Sequence, residues 1–525
     1  MRLARSLGAI SARYLDERFG RALGRRNDPF AAVLRALGRP PAKARPFLWL
    51  RPPVEPGPAA AEQVIAGAVE RFLRTAVGRF RRGQLAGAVG AVAELVPIAG
   101  AVAPFAVAFR TQSKDDPLLR QVAARFGVAH TAADPARKLW VTDTLHDVNG
   151  VARTIRSVGA LAERRGQELV TLVCSSPELP LPAGGGRLER LTPLREFKIP
   201  GYESLQLTVP PMLELLSRLE QGRFGEVILS TPGPVGLAAL AAARLLGLRT
   251  TGIYHTDFPL YLRFLTGEAH LEELAWAYMR WFFGGLDRLY VPSRFYGDLL
   301  VEHGFDRSRL ALMPRGVDLE RFHPRRRQES FWRQYGLDER FTLLYVGRLS
   351  PEKNLELLIQ SFLRLRERGR SVQLAIVGDG PERVALERRY GATAGLTFTG
   401  FLDGDELATA YASADLFAFP STTDTFGNVI LEAHASGLPA VVTTFGGPQE
   451  LVRRYDSGVV AEPTIAAFSE ALARLQDRGA LRLLARERAL GAAQSASWES
   501  FLDGLFGARA DLDPWAPAVP AGRAA

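Results

Sequence analysis

The chain has 525 residues, which is enough for two or three domains. Hydrophobic residues make up 47% and charged residues 23%, as in ordinary globular proteins. The one cysteine, Cys174, excludes a disulfide framework and a cysteine-based metal cluster, and it is typical of a protein of the reducing cytoplasm.

The net charge of +10 is concentrated at the amino end. Residues 1–130 carry about +12, whereas residues 131–525 carry about −2. A basic helical segment suits a nucleic acid or an anionic membrane surface. Base-stacking aromatic residues are not interleaved with the arginines, so we expect no nucleic-acid partner.

Residues 1–50 predict two short helices, residues 51–60 a Pro/Ala-rich linker, and residues 61–82 another helix. The first helix is basic and amphipathic, and residues 1–26 lack the apolar core of a secretory signal. It fits either an anionic membrane or the protein's own surface.

Residues 83–109 are strongly apolar and long enough to span a bilayer. Glu94, near the centre, costs about 2.5 kcal/mol or more in a membrane, and Pro97 and Pro104 interrupt the helix. A full span, a membrane-associated hairpin and a buried helical pair all remain open.

At residue 137 the pattern becomes strand, loop and helix in alternation, which predicts a doubly wound α/β domain. Six strands are expected in it: 139–142, 169–174, 227–230, 250–254, 289–291 and 310–313. A second run begins at residue 341, with strands at 343–346, 374–377, 396–399, 416–419 and 440–443. The fold class is therefore α/β, with two Rossmann-like domains and a cleft between them, preceded by an α-helical extension.

The predicted bounds are 1–130 for the extension, 136–325 for the first domain and 326–494 for the second. Residues 495–510 predict a final helix, and residues 511–525 a disordered tail.

Residues 420–439 read as a strand end, a tight turn and a helix, which Asp424 or Thr425 can cap. Backbone amides near Phe426, Gly427 and Asn428 have no partner inside that helix, and they favour an anionic or hydroxyl-rich ligand. Glu432, two turns in, suits a ribose diol. The competing interpretation is a capped helix on a sheet with a solvated Glu432.

Residues 347–354 follow the first strand of the second domain. Gly347 lets a ligand approach the backbone, and Arg348 and Lys353 on either side of the loop can neutralise a diphosphate. A solvated charged loop is the alternative. Gly378 begins a similar turn after the next strand, but without the full dinucleotide-binding pattern.

His255 follows a strand of the first domain. A lone histidine is more often a satisfied core residue, although its place at a carboxyl strand end favours a role in a site.

Taken together, these motifs resemble those of the retaining GT-B glycosyltransferases of family 4. The resemblance covers about residues 136–510. Asp424 and Glu432 match the family's acidic-x7-Glu signature, in which the first acid contacts the donor sugar and the second the ribose. Asp424 stands where Glu is commoner and is one methylene shorter. Arg348 and Lys353 match the diphosphate clamp.

The resemblance assigns further roles. Gly347 and Gly378 border the diphosphate and the nucleotide, Phe401 and Leu402 cover the base, and His255 approaches the donor sugar. The start of the helix near Glu432, from Phe426 through Gly427 and Asn428 to Val429, belongs to the same donor site. Asn149 and Gly150 lie beside the diphosphate and the acceptor, and the final helix packs back on the first domain. Pro292-Ser293 and Gly316-Val317-Asp318 complete the pattern, with Arg315 in place of the usual Asn.

The resemblance implies a retaining hexosyltransferase that uses a nucleotide-diphosphate sugar, GDP-mannose or a UDP-sugar. Similarity to bacterial and plant enzymes that glycosylate lipids suggests a lipid or glycan acceptor, and a location in the cytoplasm or at the inner face of its membrane. No cofactor and no metal are expected. Two alternatives remain: a sugar-nucleotide epimerase with this fold, and a non-catalytic scaffold that binds a nucleotide sugar or a membrane, which Asp424 leaves open.

Overall fold

The computed structural model describes residues 67–68, 71–72, 75, 116–127, 134–146, 150–199 and 202–507. The expectations for residues 1–60, for the apolar run 83–109 and for the tail 511–525 lie outside these residues. Of the helix predicted over residues 61–82, only positions 67, 68, 71, 72 and 75 are described, and all five are helical. No helix within the described ranges combines the length and the apolar character needed to cross a membrane.

Strands and helices alternate along most of the described chain. The strands are β1 Asp134–Thr142, β2 Leu169–Cys174, β3 Arg187–Leu191, β4 Arg195–Ile199, β5 Tyr202–Val209, β6 Phe224–Leu229, β7 Arg249–Ile253, β8 Arg288–Val291, β9 Leu310–Leu312, β10 Phe341–Val346, β11 Val372–Val377, β12 Leu396–Gly400, β13 Leu416–Phe419, β14 Ala440–Thr443 and β15 Gly458–Ala461. The helices are α1 Asp116–Phe126, α2 Gly150–Arg164, α3 Met212–Gly222, α4 Pro234–Leu246, α5 Phe258–Thr266, α6 Ala269–Phe283, α7 Arg294–Glu302, α8 Leu355–Glu367, α9 Arg383–Tyr390, α10 Gly404–Ala412, α11 Asn428–Ala435, α12 Gly446–Tyr455, α13 Ile465–Asp477, α14 Gly479–Ser495 and α15 Trp498–Phe506.

The first sheet has seven strands in the order β3-β2-β1-β6-β7-β8-β9. β1 lies between β2 and β6 and pairs with both in parallel, so that Trp140 is opposite Thr171 on one side and Ile228 on the other. The middle strands are almost continuously buried, which explains their unbroken apolar runs. β4 and β5 form a separate antiparallel hairpin.

The second sheet has six strands in the order β12-β11-β10-β13-β14-β15, and all its pairs are parallel. This is the doubly wound order 3-2-1-4-5-6, in which the strand order reverses between the first and fourth strands. The reversal here lies between β10 and β13. Ligands of such sheets bind outside the carboxyl ends of the strands at this switch point.

The predicted α/β class with two parallel sheets is confirmed, and all eleven predicted strands are present with small shifts of their ends. Four strands were not predicted. β3 and the β4–β5 hairpin are rich in charged residues and lack an apolar run, and β15 is only four residues long.

By compactness the chain divides into two units, residues 1–253 with 273–289 and residues 254–272 with 290–525. The domain bounds expected from the sequence, and the cleft, stay predictions. Inside the second unit the final helix α15 reaches β8: the hydroxyl of Tyr290 donates to the carbonyl of Gly504 at 3.0 Å, and its ring meets Phe501 edge-on.

Candidate functional site

The loops that follow β10 and β13 meet at the switch point of the second sheet. β10 and β13 pair in parallel, with Leu343 opposite Leu416, so their carboxyl ends lie side by side. The Lys353 ammonium from the first loop contacts the Asp424 carboxylate from the second, with Nζ and Oδ2 2.6 Å apart. The two side chains are 17% and 21% exposed. This ion pair remains accessible to a ligand.

The loops after β10 and β11 are fixed to each other through their backbones. The amide of Gly347 donates to the carbonyl of Val377 at 3.0 Å, and that of Leu349 to Asp379 at 2.9 Å. Gly378 has φ +136°, and a Cβ there would lie 1.9 Å from the Gly347 carbonyl oxygen. Only glycine fits at position 378, because both the backbone conformation and the close approach exclude a side chain.

Arg348 presents an exposed side chain from this rigid loop. Its carbonyl accepts a hydrogen bond from the buried Tyr345 hydroxyl at 2.9 Å. The loop then forms a 3-10 turn, Pro351–Lys353, and the hydroxyl of Ser350 donates to Glu352 at 2.5 Å. A guanidinium and an ammonium held on one braced loop can together meet a doubly charged phosphate group.

The turn after β13 is organised differently from the sequence-based expectation. α11 begins at Asn428 and its N-cap is Gly427, with φ +81° and no side-chain cap, so the predicted cap by Asp424 or Thr425 is wrong. Both side chains have other partners: Asp424 binds Lys353, and the Thr425 hydroxyl donates to the His255 carbonyl at 2.7 Å. The acid of the turn is therefore available for a ligand rather than used within the helix.

Glu432 is held inside the protein rather than solvated. Its side chain is 4% exposed and accepts a hydrogen bond from the Tyr411 hydroxyl at 2.9 Å. Tyr411 is itself fully buried and packs edge-on against Phe322. The alternative of a solvated Glu432 is therefore wrong. A buried carboxylate with a fixed orientation suits a specific pair of hydroxyl groups.

The remaining predicted donor-site residues divide into exposed and buried ones. Phe401 is 55% exposed directly after Gly400, whereas Leu402 is 8% exposed. At the start of α11, Val429 packs partly buried against the core. The Oδ1 atom of Asn428 is buried and has no hydrogen-bond partner among the residues that the structure describes.

His255 is buried, with 8% exposure, just after β7. Its Nε2 atom is also buried and makes no hydrogen bond within the described part of the chain. Burial first, and repulsion from the Arg315 guanidinium second, hold the pKa of His255 well below its usual 6.5. The imidazole is therefore neutral at pH 7, and its unsatisfied nitrogen is suited to a ligand hydroxyl.

Gly150 belongs to the first unit, where it is the exposed first residue of α2. The Thr154 hydroxyl donates to its carbonyl at 2.8 Å. Asn149 lies outside the described residues. A place for Gly150 beside the diphosphate stays a prediction.

Two further structural roles concern Glu432 and Gly316. The support of Glu432 by Tyr411 was missed because it joins residues 21 positions apart, and no local motif marks it. Gly316 was noted, and the structure gives its reason: a Cβ there would lie 2.4 Å from the ring of Trp498. The glycine thus allows the amino end of α15 to approach the chain.

Comparisons with known proteins agree with this arrangement. Residues 148–321 match the model of glycosyltransferase family 4, and residues 340–478 that of the glycosyl transferases group 1. A GDP-mannose-dependent alpha-mannosyltransferase of Mycobacterium tuberculosis is 34% identical over 377 residues, which are 69% of this chain and 93% of the relative. A sulfoquinovosyl transferase of Arabidopsis thaliana is 35% identical, over 50% of this chain and 51% of its own length.

A solved sucrose-phosphate synthase from Thermosynechococcus elongatus superposes with a TM-score of 0.58 at 19% identity. The superposition covers 70% of this chain and 97% of the synthase. This likeness shows the two-domain glycosyltransferase fold.

Proposed function

The chain belongs to glycosyltransferase family 4, and from that premise we propose that it transfers a hexose from a nucleotide-diphosphate sugar to a hydroxyl group with retention of configuration. The donor would be GDP-mannose or a UDP-sugar, and the acceptor a lipid or a glycan. One observation carries the proposal: Lys353, on the loop that also bears Arg348, meets Asp424 of a second loop at the switch point of a doubly wound sheet.

In the proposed reaction the bond between the anomeric carbon and the diphosphate oxygen breaks. The acceptor oxygen bonds to that carbon on the face that the diphosphate leaves, and its proton passes to the departing phosphate. Lys353 and Arg348 stabilise the negative charge that develops on the phosphate. Asp424 contacts the sugar, and Glu432 holds the ribose.

The relatives support the donor and acceptor classes. The mycobacterial relative is named for its dependence on GDP-mannose, and a second relative in Mycobacterium tuberculosis is named for transfer to a phosphatidylinositol dimannoside. These names describe those proteins. For this chain they select the compounds to try first.

Arg348→Ala tests the proposal. Removing a cation that acts on the leaving phosphate should lower turnover by at least about a hundredfold. Release of GDP from GDP-mannose in the presence of acceptor lipid measures it, with UDP-glucose as the second donor. Arg474→Ala, which removes an exposed arginine from α13, is the matched control and should leave the rate unchanged. Near-normal transfer by Arg348→Ala would contradict the assigned role.

The same assay separates the alternatives. An epimerase would change the sugar of the donor without releasing GDP, and a scaffold would bind the donor without consuming it.

We also propose that residues 1–110 bring the protein to an anionic membrane surface, because the net charge of about +12 is concentrated in the first 130 residues. The full chain should sediment with phosphatidylglycerol vesicles and much less with phosphatidylcholine vesicles. Replacing Arg2, Arg5, Arg13 and Arg18 by Glu should weaken this binding. Equal sedimentation of the variant and the wild type would oppose the idea.

A further inference from the structure

A buried arginine lies beside the turn that carries Asp424. Arg315 follows β9, and only 7% of it is exposed. Its guanidinium carbon lies 5.3 Å from the centre of the Phe426 ring, which is the distance of a cation–π contact. Burial lowers the pKa of Arg315 to about 10, so the group is still charged at neutral pH. The family pattern usually has an uncharged Asn at this position.

His255 is linked both to Arg315 and to this turn. The Thr425 hydroxyl donates to the His255 carbonyl at 2.7 Å, and Phe426 is the next residue. The field of Arg315 opposes protonation of the His255 ring. Arg315 therefore acts on Phe426 of this turn by a cation–π contact and on His255, whose carbonyl Thr425 contacts, by charge.

Other ionisable groups surround His255. Asp257 is the N-cap of α5, and its carboxylate accepts a hydrogen bond from the Leu260 amide at 3.1 Å. Burial raises the pKa of Asp257 to about 6. The buried phenols of Tyr254 and Tyr296 are neutral, because burial raises both pKa values well above 10.

The chemistry favours an uncharged imidazole here. The buried Nε2 atom of His255 has no hydrogen-bond partner in the described ranges. A neutral imidazole can exchange hydrogen bonds with a sugar hydroxyl. An imidazolium would add another cation near Arg315, and it would lose the acceptor nitrogen that a sugar hydroxyl can use.

We propose that Arg315 is a positioning residue for hexose transfer: through its contact with the Phe426 ring and its charge near His255 it positions the turn of Asp424, so that the imidazole and Asp424 meet the same sugar. This inference rests on the proposed function. Arg315 acts through its neighbours and is not assigned a contact with the substrate.

A titration tests the electrostatic part without any activity. The chain has seven histidines, and the His255→Asn variant identifies the His255 signal in NMR spectra of histidine-labelled protein by its loss. In the wild type the midpoint of the His255 ring should lie well below 6.5. In Arg315→Gln its midpoint should rise, because the repulsion is gone, but it should stay below 6.5, because burial, the larger cause, remains. Arg315→Lys keeps the charge and should keep the low midpoint.

Activity tests the positioning part. With GDP-mannose as the probe donor, kcat/KM of Arg315→Gln should fall by a larger factor than that of the wild type as the pH is lowered through the raised midpoint of His255. The double variant His255→Asn/Arg315→Gln should not show this additional fall, since the titrating ring is absent. Arg315→Lys loses only the planar stacking on Phe426, so it should raise KM several-fold with an unchanged pH profile.

Identical His255 midpoints in the wild type and Arg315→Gln would overturn the proposal. A wild-type midpoint at or above 6.5 would do so as well, and that result does not depend on whether any variant folds. A wild type that is inactive with every nucleotide sugar would count against the proposed function, whereas the titration would still decide the effect of Arg315 on His255.

Discussion

Two lysine–carboxylate pairs, one within the first sheet and one in the loops that follow strands of the second, show how position along parallel strands separates stability from function. Lys138 on β1 binds Glu226 on β6, and the Thr251 hydroxyl on β7 donates to the same carboxylate. The Lys138 and Glu226 side chains are 8% and 7% exposed. Lys353 and Asp424 are more exposed, at 17% and 21%, and lie beyond the carboxyl ends of their strands.

The two pairs differ in whether a ligand can replace one of the partners. The Lys138 pair lies within the strands, where Lys138 is directly opposite Glu226, and its groups are satisfied by protein alone. Such a pair fixes strand register and is costly to break. The Lys353 pair lies in loops that water reaches, so a phosphate can replace the carboxylate at small cost.

Lys138→Met should destabilise the protein by about 3–5 kcal/mol, because it leaves the Glu226 carboxylate buried without its cation. Urea unfolding measures the loss. The triple variant Lys138→Met/Glu226→Met/Thr251→Val removes every polar partner together and should recover most of the stability. A triple variant as unstable as the single one would contradict this explanation, because the loss would then not come from the unpaired Glu226 carboxylate.

Lys353→Ala should have the opposite profile. Loss of one group that stabilises the departing phosphate should reduce kcat/KM for the donor by about 10²–10³-fold. The midpoint of urea unfolding should hardly move. A comparable loss of stability would make Lys353 a structural lysine like Lys138.

Acid should weaken the second unit through His434, which no proposed step uses. The ring is fully buried between the Ile430 carbonyl and the Ser457 hydroxyl, and burial lowers its pKa to about 4. Below pH 6.5 the unfolded chain binds a proton that the folded chain excludes, so stability falls with pH through this window.

We expect His434→Gln to remove roughly 2 kcal/mol of this loss between pH 6.5 and pH 4.5, measured by urea unfolding at each pH. The difference between the two proteins at pH 8, where the His434 ring is neutral in the folded and the unfolded chain, gives the cost of the substitution itself. Equal slopes for wild type and His434→Gln would contradict the explanation.

Asp424→Asn should change stability least, by at most about 1 kcal/mol, because partly exposed ion pairs contribute little. The free energy of unfolding, compared with that of Lys138→Met, gives the ratio of the two pairs directly. A cost near that of Lys138→Met would remove the contrast.

The sequence predicted whatever depends on short patterns. Apolar runs predicted eleven of the strands, and Gly347, Lys353 and Asp424 each belong to a motif that is a few residues long. Contacts between distant positions could not be predicted, because no short pattern marks them: Lys138 and Glu226 are 88 residues apart, and Tyr411 and Glu432 are 21 apart. Arg315 was visible as a departure from the family pattern, but its effect depends on burial, which local sequence does not specify. The cap of α11 was assigned to the wrong residue because Gly427 takes a left-handed conformation that frees Asp424.

The most direct test of the central claim is the affinity of GDP and of UDP for the wild type, Lys353→Ala and Lys138→Met by calorimetry, at a temperature where all three are folded. If the Lys353 pair is the diphosphate site, one nucleotide binds the wild type and Lys138→Met equally, and Lys353→Ala at least about tenfold more weakly. Unchanged affinity in Lys353→Ala, or no binding of either nucleotide to the wild type, would contradict it.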